Sequence, residues 1–388
     1  MGNLYYLILY LLGLSNQELI FIMENISNSD VKKIFTEERL EVEYKYNINL
    51  SKYELKLSNK TIIDNYIRKA EEIIRVSKQK DIKIITYKSR YYPKILKKIK
   101  NPPAIIYLKG KYILKADEKS IACVGSRNPT KSGIEAAKSL ITNLVKEKFV
   151  IVSGLAYGVD KISHETCLKE NGRTIAVVAH GLDMIYPKEH EDLAMRILEN
   201  GGTIISEYPI GTKPDKFRFV DRNRIVSGLA SGLLMIEAKA KSGTSHTVKF
   251  AKEQGRKVFF PTYTKETLEN GLNFNLLKND EATAINLKND YHIIINKLGY
   301  KLKYDNNLIN KLKNKALDKL MTPLKSSEQV INFEEPIDAK TGFGVNKEIY
   351  VKFKNILREN NLSVKEFFNA IIINIVKEYD KGEKKWKK

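Results

Sequence analysis

Three short stretches of the chain carry residue types that can hold a string of negative oxygens. They are Gly125-Ser126-Arg127-Asn128-Pro129-Thr130, Ser153-Gly154-Leu155-Ala156-Tyr157-Gly158 and Lys241-Ser242-Gly243-Thr244-Ser245. Each follows an apolar run and leads into a segment of helical periodicity. Small residues at such a junction let a helix begin close to a strand end, presenting backbone N–H groups and a positive dipole end to an anion. Ser126, Ser153, Ser242 and Thr244 add hydroxyl groups, and Arg127 adds a planar fork that matches phosphate. One Gly-Ser turn alone reads as a structural turn; three on one rim argue for phosphate.

A further run, residues 213–224, sets Lys213, Lys216, Arg218, Arg222 and Arg224 among Phe217 and Phe219. Cations suit phosphates and aromatic faces suit unstacked bases. The competing reading is structural: Phe217 and Phe219 fill the core while Arg222 and Arg224 pair with carboxylates.

The elements that must position these residues follow from periodicity. Apolar runs at residues 120–125, 150–154, 174–179, 203–206, 232–237 and 257–261 alternate with helical intervals at 131–147, 158–171, 190–200, 222–230 and 245–254. Short apolar runs separated by helices indicate a parallel sheet buried on both faces. The expected fold is α/β, a Rossmann-like doubly wound, mostly parallel sheet over residues 81–297, with edge strands near 82–87 and 105–108. Residues 1–80 read as a small helical domain, with Ser15 and Ser29 as helix caps. Residues 298–340 read as a linker with one helix. Residues 341–388 read as a small helical module with a basic tail, similar to a ribbon-helix-helix unit, or alternatively a degenerate winged helix or a helical hairpin. In an open sheet of this kind, ligands bind outside the carboxyl ends of the strands where strand order reverses.

Composition narrows the partner. The net charge is +21 and the pI about 9.5, which suits a polyanion. A Lys-rich coding bias is the alternative source of that charge. Residues 120–296 carry 24 basic and 20 acidic side chains, so their cations are placed locally, whereas the flanks are broadly basic. Two cysteines without ligand spacing give neither a metal site nor a disulfide framework and fit a reducing cytoplasm. The apolar run 5–14 is too short to span a membrane. No G-x-G-x-x-G or G-x-x-x-x-G-K-[ST] motif is present, so no dinucleotide or P-loop cofactor is expected. His164 and His190 lack a second histidine at metal spacing and read as helix-surface residues; His180 falls near the rim.

The order of motifs resembles the DNA-processing protein A (DprA, or Smf) family. The resemblance rests on Tyr92-Pro93, Asn101-Pro102-Pro103, residues 107–110, Val124 to Pro129, Val152 to Asp160, residues 172–177, Gly181-Leu182-Asp183, Tyr186-Pro187 and residues 205–207. It continues through Arg222 to Ile225, Glu237, Ser242-Gly243-Thr244 and Gly255-Arg256. It implies a cytoplasmic protein, free of catalysis, that binds single-stranded DNA, forms a homodimer through the core and delivers the strand to a RecA-type recombinase. It also implies phosphates against Gly125, Ser126, Arg127, Ser153, Gly154, Ser242 and Gly243, help from Lys216 and Arg224, and a base beside Phe219; Gly158, Arg222 and Thr244 complete the expected site. Two stretches depart from the family. Residues 271–282 carry an insertion and lack the glycine before Ala282, and the C-terminal module, if ribbon-helix-helix, would contact duplex DNA. The alternatives are a nucleotide-processing enzyme and a nucleotide sensor on the same fold. The enzyme reading lacks its glutamate, because Gly243-Thr244 is followed by Ser245-His246-Thr247.

Overall fold

In the computed structural model of the chain, the described residues are 2–279, 281–286 and 290–301, together with Asn355 and Arg358. The chain divides into a unit of residues 1–301 and a second of residues 302–388. Most of the expected linker and all but two residues of the C-terminal module therefore lie outside the described residues.

The first unit begins with α1 (Gly2–Leu12), α2 (Asn16–Asn25), α3 (Asn28–Lys33), α4 (Arg39–Tyr46), α5 (Glu54–Leu57) and α6 (Lys60–Gln79). A capping box starts α2: Glu18 N–H donates to Ser15 Oγ, and Ser15 N–H donates to Glu18 Oε2 at 2.7 Å. At α3 the cap is Ser27, not the expected Ser29. Ser27 is extended and its Oγ accepts from Asp30 N–H at 3.1 Å, whereas Ser29 is already helical.

The sheet follows as β1 (Lys83–Thr86), β2 (Ile105–Gly110), β3 (Ser120–Val124), α7 (Lys131–Lys146), β4 (Val150–Ser153), α8 (Val159–Lys169), β5 (Thr174–Val177), α9 (Glu191–Glu199) and β6 (Thr203–Ser206). It continues with α10 (Lys216–Gly228), β7 (Gly232–Met235), α11 (Gly243–Glu253), β8 (Lys257–Pro261), α12 (Gly271–Lys278), β9 (Thr283–Ile285) and α13 (Tyr291–Lys297). The strand order is β1-β2-β6-β5-β4-β3-β7-β8-β9, with β2 antiparallel to β1 and β6 and the other pairs parallel. Every residue of β3 through β7 is buried, as a sheet covered on both faces requires. On one face Ile105, Tyr107 and Ile204 share a core with Leu7, Leu12 and Ile22 of the leading helices. On the other, Ala122 and Val152 meet Ile225 and Val226 of α10 and Leu96 and Ile99.

β3 leads through α7 to β4 on one flank, whereas β7, on its other flank, leads through α11 to β8. Strand order therefore reverses between β3 and β7, and a crevice opens outside their carboxyl ends. α10 starts at Lys216, six residues before the expected 222. Asp215 caps it, accepting from Phe217 N–H at 2.8 Å, so the cationic run is helical.

His164 and His190, expected on helix surfaces, are fully buried. Thr174 Oγ1 donates to Ile151 O at 2.8 Å, so the 2.7 Å contact between His164 Nδ1 and that hydroxyl needs the proton on Nδ1. Nε2 is then left bare, with no partner among the described residues. Burial, and then the neighbouring His190 and Arg222, pull the imidazole down to about 3. The unfolded chain accepts this proton near pH ~6.5, whereas the folded one refuses it until far lower. Stability is untouched above about pH 6.5, falls as pH drops from there towards about 3, and levels off below. Replacing His164 with Gln is expected to make the loss of stability between pH ~6 and ~4 shallower by up to about 1.4 kcal/mol per pH unit, read from denaturant midpoints. An unchanged slope would mean that the imidazole is not held neutral.

Candidate functional site

The crevice is a cleft of about 940 Å³, and the three small-residue stretches meet there. Gly125, Ser126, Arg127, Gly154, Ser242, Gly243 and Thr244 line it, joined from α10 by Lys216, Phe219 and Arg222. Ser153, Gly158 and Arg224 do not.

Backbone contacts build the rim. Beyond β3 and β7 the ladder continues, with Ile236 N–H donating to Val124 O at 3.0 Å and Ser126 N–H to Glu237 O at 2.6 Å. The buried Glu237 carboxylate accepts from Thr130 N–H at 2.7 Å and from its hydroxyl at 2.8 Å, tying the end of β7 to the start of α7. Asn273 on α12 clasps the same corner: its amide donates to Ile236 O at 2.8 Å and accepts from Ala238 N–H at 3.2 Å. Gly158, at φ +71°, lets α8 begin against the Ser126–Arg127 turn. A Cβ there would stand 2.3 Å from Ser126 O and 2.4 Å from Arg127 O.

Three of the four expected hydroxyl donors are already committed to the backbone. Ser153, fully buried, donates to Cys123 O at 2.7 Å; Ser242 donates to Lys239 O at 2.9 Å; Thr244 donates to Gly125 O at 3.2 Å. These hydroxyls therefore shape loops. Ser126 Oγ accepts from Asn128 N–H at 3.1 Å, which leaves its own hydrogen for an outside acceptor. The first turn of α11 has no side-chain cap, a Cβ on Gly243 would meet nothing within 4 Å, and Ser242, Gly243 and Thr244 line the cleft, so this helix terminus lies at the rim.

The helical twist of α10 divides the cationic run. Lys216, Phe219, Val220, Asn223 and Val226 fall on the cleft side, at helical spacing. Lys216 is exposed over the Phe217 ring. Arg222 is buried: Nη1 donates to Gly154 O at 2.6 Å and to Val177 O, and Nε to Asn223 Oδ1 at 3.2 Å. Burial lowers the affinity of its guanidinium for a proton, which Asp160 opposes. Arg224 points away and forms a buried bidentate pair with Glu207 at 2.5 and 3.0 Å. It is not among the cleft-lining residues, because two positions along a helix turn a side chain through about 200°. The structural reading thus holds for Arg224; Arg222 is buried too but bonds carbonyl and amide oxygens in place of a carboxylate, and Phe217 is exposed instead of filling the core.

What faces the cleft is cationic and aromatic. Arg127 is exposed, with its guanidinium 5.8 Å from the Phe219 ring centroid, and Phe219 lies 5.8 Å from Tyr186. Tyr186, Tyr157, Asn128 and Lys239 also line the cleft and are not among the expected site residues, although Asn128 and the two tyrosines stand inside the motifs quoted above. The lining carboxylates are engaged. Asp160 accepts from Ala156 N–H at 3.3 Å, Asp215 caps α10, and Glu269 pairs with Lys239 at 3.1 Å. Asp160 is pushed up by burial, against the pull of Arg222. No cluster of metal-ligating side chains exists among the described residues, and no described helix is long and apolar enough to cross a membrane.

A model of the DNA recombination-mediator protein A family matches residues 83–296. DNA processing protein DprA of Bacillus subtilis is 40% identical over 200 residues, covering 52% of this chain and 67% of that protein. Protein Smf of Escherichia coli is 37% identical over 176 residues, 45% of this chain and 47% of its own length. The matches thus span between about half and two thirds of these relatives. Among solved structures, DNA processing protein A from Streptococcus pneumoniae superposes with a TM-score of 0.59 at 28% identity, covering 74% of this chain and 95% of that one. The Helicobacter pylori protein, described for its single-stranded DNA binding mode, gives 0.50 at 29% identity, with 56% and 96% covered.

The geometry at Gly158 has a measurable consequence. Gly158→Ala is expected to destabilise the first unit by roughly 1–3 kcal/mol, because it combines a left-handed backbone with two close carbonyl contacts. Thermal unfolding at the wild-type midpoint would show it. Gly243→Ala, at an open position, is expected to stay within about 1 kcal/mol of wild type.

Proposed function

Because the chain belongs to the DNA recombination-mediator protein A family, we propose that its cleft grips the phosphate backbone of single-stranded DNA and that the protein hands this strand to a RecA-type recombinase. The observation that carries the reading is the convergence on one rim of the uncapped α11 terminus, the Ser126 hydroxyl and two exposed cations, Arg127 and Lys216, beside the Phe219–Tyr186 pair. Fixed amides and cations suit a repeating anion, and aromatic edges suit unpaired bases, without demanding a particular sequence. The description of the Helicobacter relative supports the choice of single strands. Action as a cytoplasmic homodimer, and the recombinase as recipient, are supported by family membership.

The reading predicts affinity for oligothymidylate that falls steeply with salt, each phosphate contact contributing about −0.7 to the log–log slope. Arg127→Ala is expected to weaken binding at every sequence and to make that slope shallower, and Phe219→Ala to weaken binding with the slope kept. Filter binding or fluorescence anisotropy across a salt series checks both. Wild-type affinity in Arg127→Ala would remove the cleft from the interface.

A further inference from the structure

The positive charge of the N-terminal flank is not spread along it. Residues 1–81 carry 12 basic and 12 acidic side chains, whereas residues 82–116 carry 10 basic and none acidic. A coding bias toward lysine would load both stretches alike. Among the described residues only Lys83 of these ten forms an ion pair, with Asp81 at 3.6 Å.

The structure turns this stretch into a one-sided surface. Between Lys88 and Lys100, Tyr92, Ile95, Leu96 and Ile99 point into the core, while Lys88, Arg90, Lys94, Lys98 and Lys100 are exposed. The segment is pressed on the end of α10: a Cβ on Gly228 would stand 2.9 Å from Ile99 and 3.0 Å from Leu96. The same helix presents Asn223 and Val226 to the cleft. On its other side Asp221 and Arg224 face a second cavity of about 420 Å³, which Lys100 also lines. Cleft and cationic segment are thus separated by one helix, a body about 10–12 Å across.

We propose that this acid-free segment is a second phosphate track, which takes the DNA strand after it leaves the cleft and crosses α10. The inference rests on the cleft reading above. Recognition along the track is of the backbone alone. Of two cavities beside it, the one bounded by Arg90, Tyr91, Lys94, Lys115, Asp117 and Glu118 holds about 90 Å³ and cannot enclose a nucleotide, and the one at Lys100 carries the carboxylates of Glu207, Asp221 and Glu253. The Tyr91 ring is already covered by Tyr112 at 4.2 Å and by Arg90 at 4.7 Å.

The test uses the full chain and three variants. The first is the triple variant Lys94→Ala, Lys98→Ala, Lys100→Ala. The second removes the same charge from the balanced domain, as Lys60→Ala, Lys78→Ala, Lys80→Ala. The third is Arg127→Ala. Affinity for a short oligothymidylate that fills only the cleft, and for a long one, is measured across salt. The track variant is expected to bind the short oligomer as wild type does, to lose affinity for the long one, and to lower its log–log slope by about 2, three contacts at roughly 0.7 each. The control triple should match wild type. An equal loss in the control, an unchanged slope in the track variant, or a loss confined to binding of phosphatidylserine vesicles overturns the track. Retention of short-oligomer binding by Arg127→Ala overturns the cleft reading instead.

Discussion

A single guanidinium organises the crevice. Arg222 lies inside the protein, where an unpaired cation would be very costly, and it is met by the carbonyls at the ends of β4 and β5 and by the field of Asp160. Those carbonyls have no further strand residue to bond, so they are the acceptors that the end of a parallel sheet leaves over. Satisfying them from α10 fixes the helix across the strand ends. Gly154 is the residue that permits it, since a Cβ there would stand 2.6 Å from the guanidinium nitrogens and 2.6 Å from the Asp160 carboxylate. With α10 so fixed, Phe219 and Lys216, about one and two turns upstream, must overhang the crevice.

Around that anchor, polar side chains divide into those that shape the loops and those that face outward. Glu237, Asn273, Ser153, Thr244 and Asp160 all bond to backbone, and all are buried. Buried polar groups fully occupied in this way rigidify a loop, and a rigid loop binds an anion without first losing conformational entropy. Arg127, Lys216 and the uncapped start of α11 are then presented on a frame already in place.

The strands and most helices of the sheet were legible because runs of four or five apolar residues between helical intervals have few other solutions. The rim itself was legible for the same reason: ligand sites in such sheets are set by topology, and the sequence shows which residues follow each strand. What could not be read was direction. A hydroxyl at a strand end looks like a donor to ligand whether it faces the cleft or, as with Ser153, the neighbouring strand. Arg222 and Arg224 looked alike until the helix start at Asp215 fixed their azimuths. Pro214-Asp215 was the available signal, a turn residue followed by a capping one, but the cationic run after it has too weak an apolar period to announce a helix. The histidines failed similarly, since a helix facing a sheet on one side and a second helix on another has no polar surface at His164.

The arrangement also says why a cleft in a nearly charge-balanced core can hold a polyanion. Its field does not come from net charge. It comes from the α11 terminus left without a cap and from two cations held away from the acids around them, since the lining carboxylates are turned into the protein or paired with Lys239. A local field of this kind is screened over about 8–10 Å at physiological salt, so it acts on phosphates inside the cleft and hardly beyond it. Attraction at longer range has to be supplied elsewhere on the surface, and in the first unit the longest run of sequence with cations and no acids is residues 82–116. Division of labour between a fixed short-range cradle and an exposed charged approach follows from screening alone.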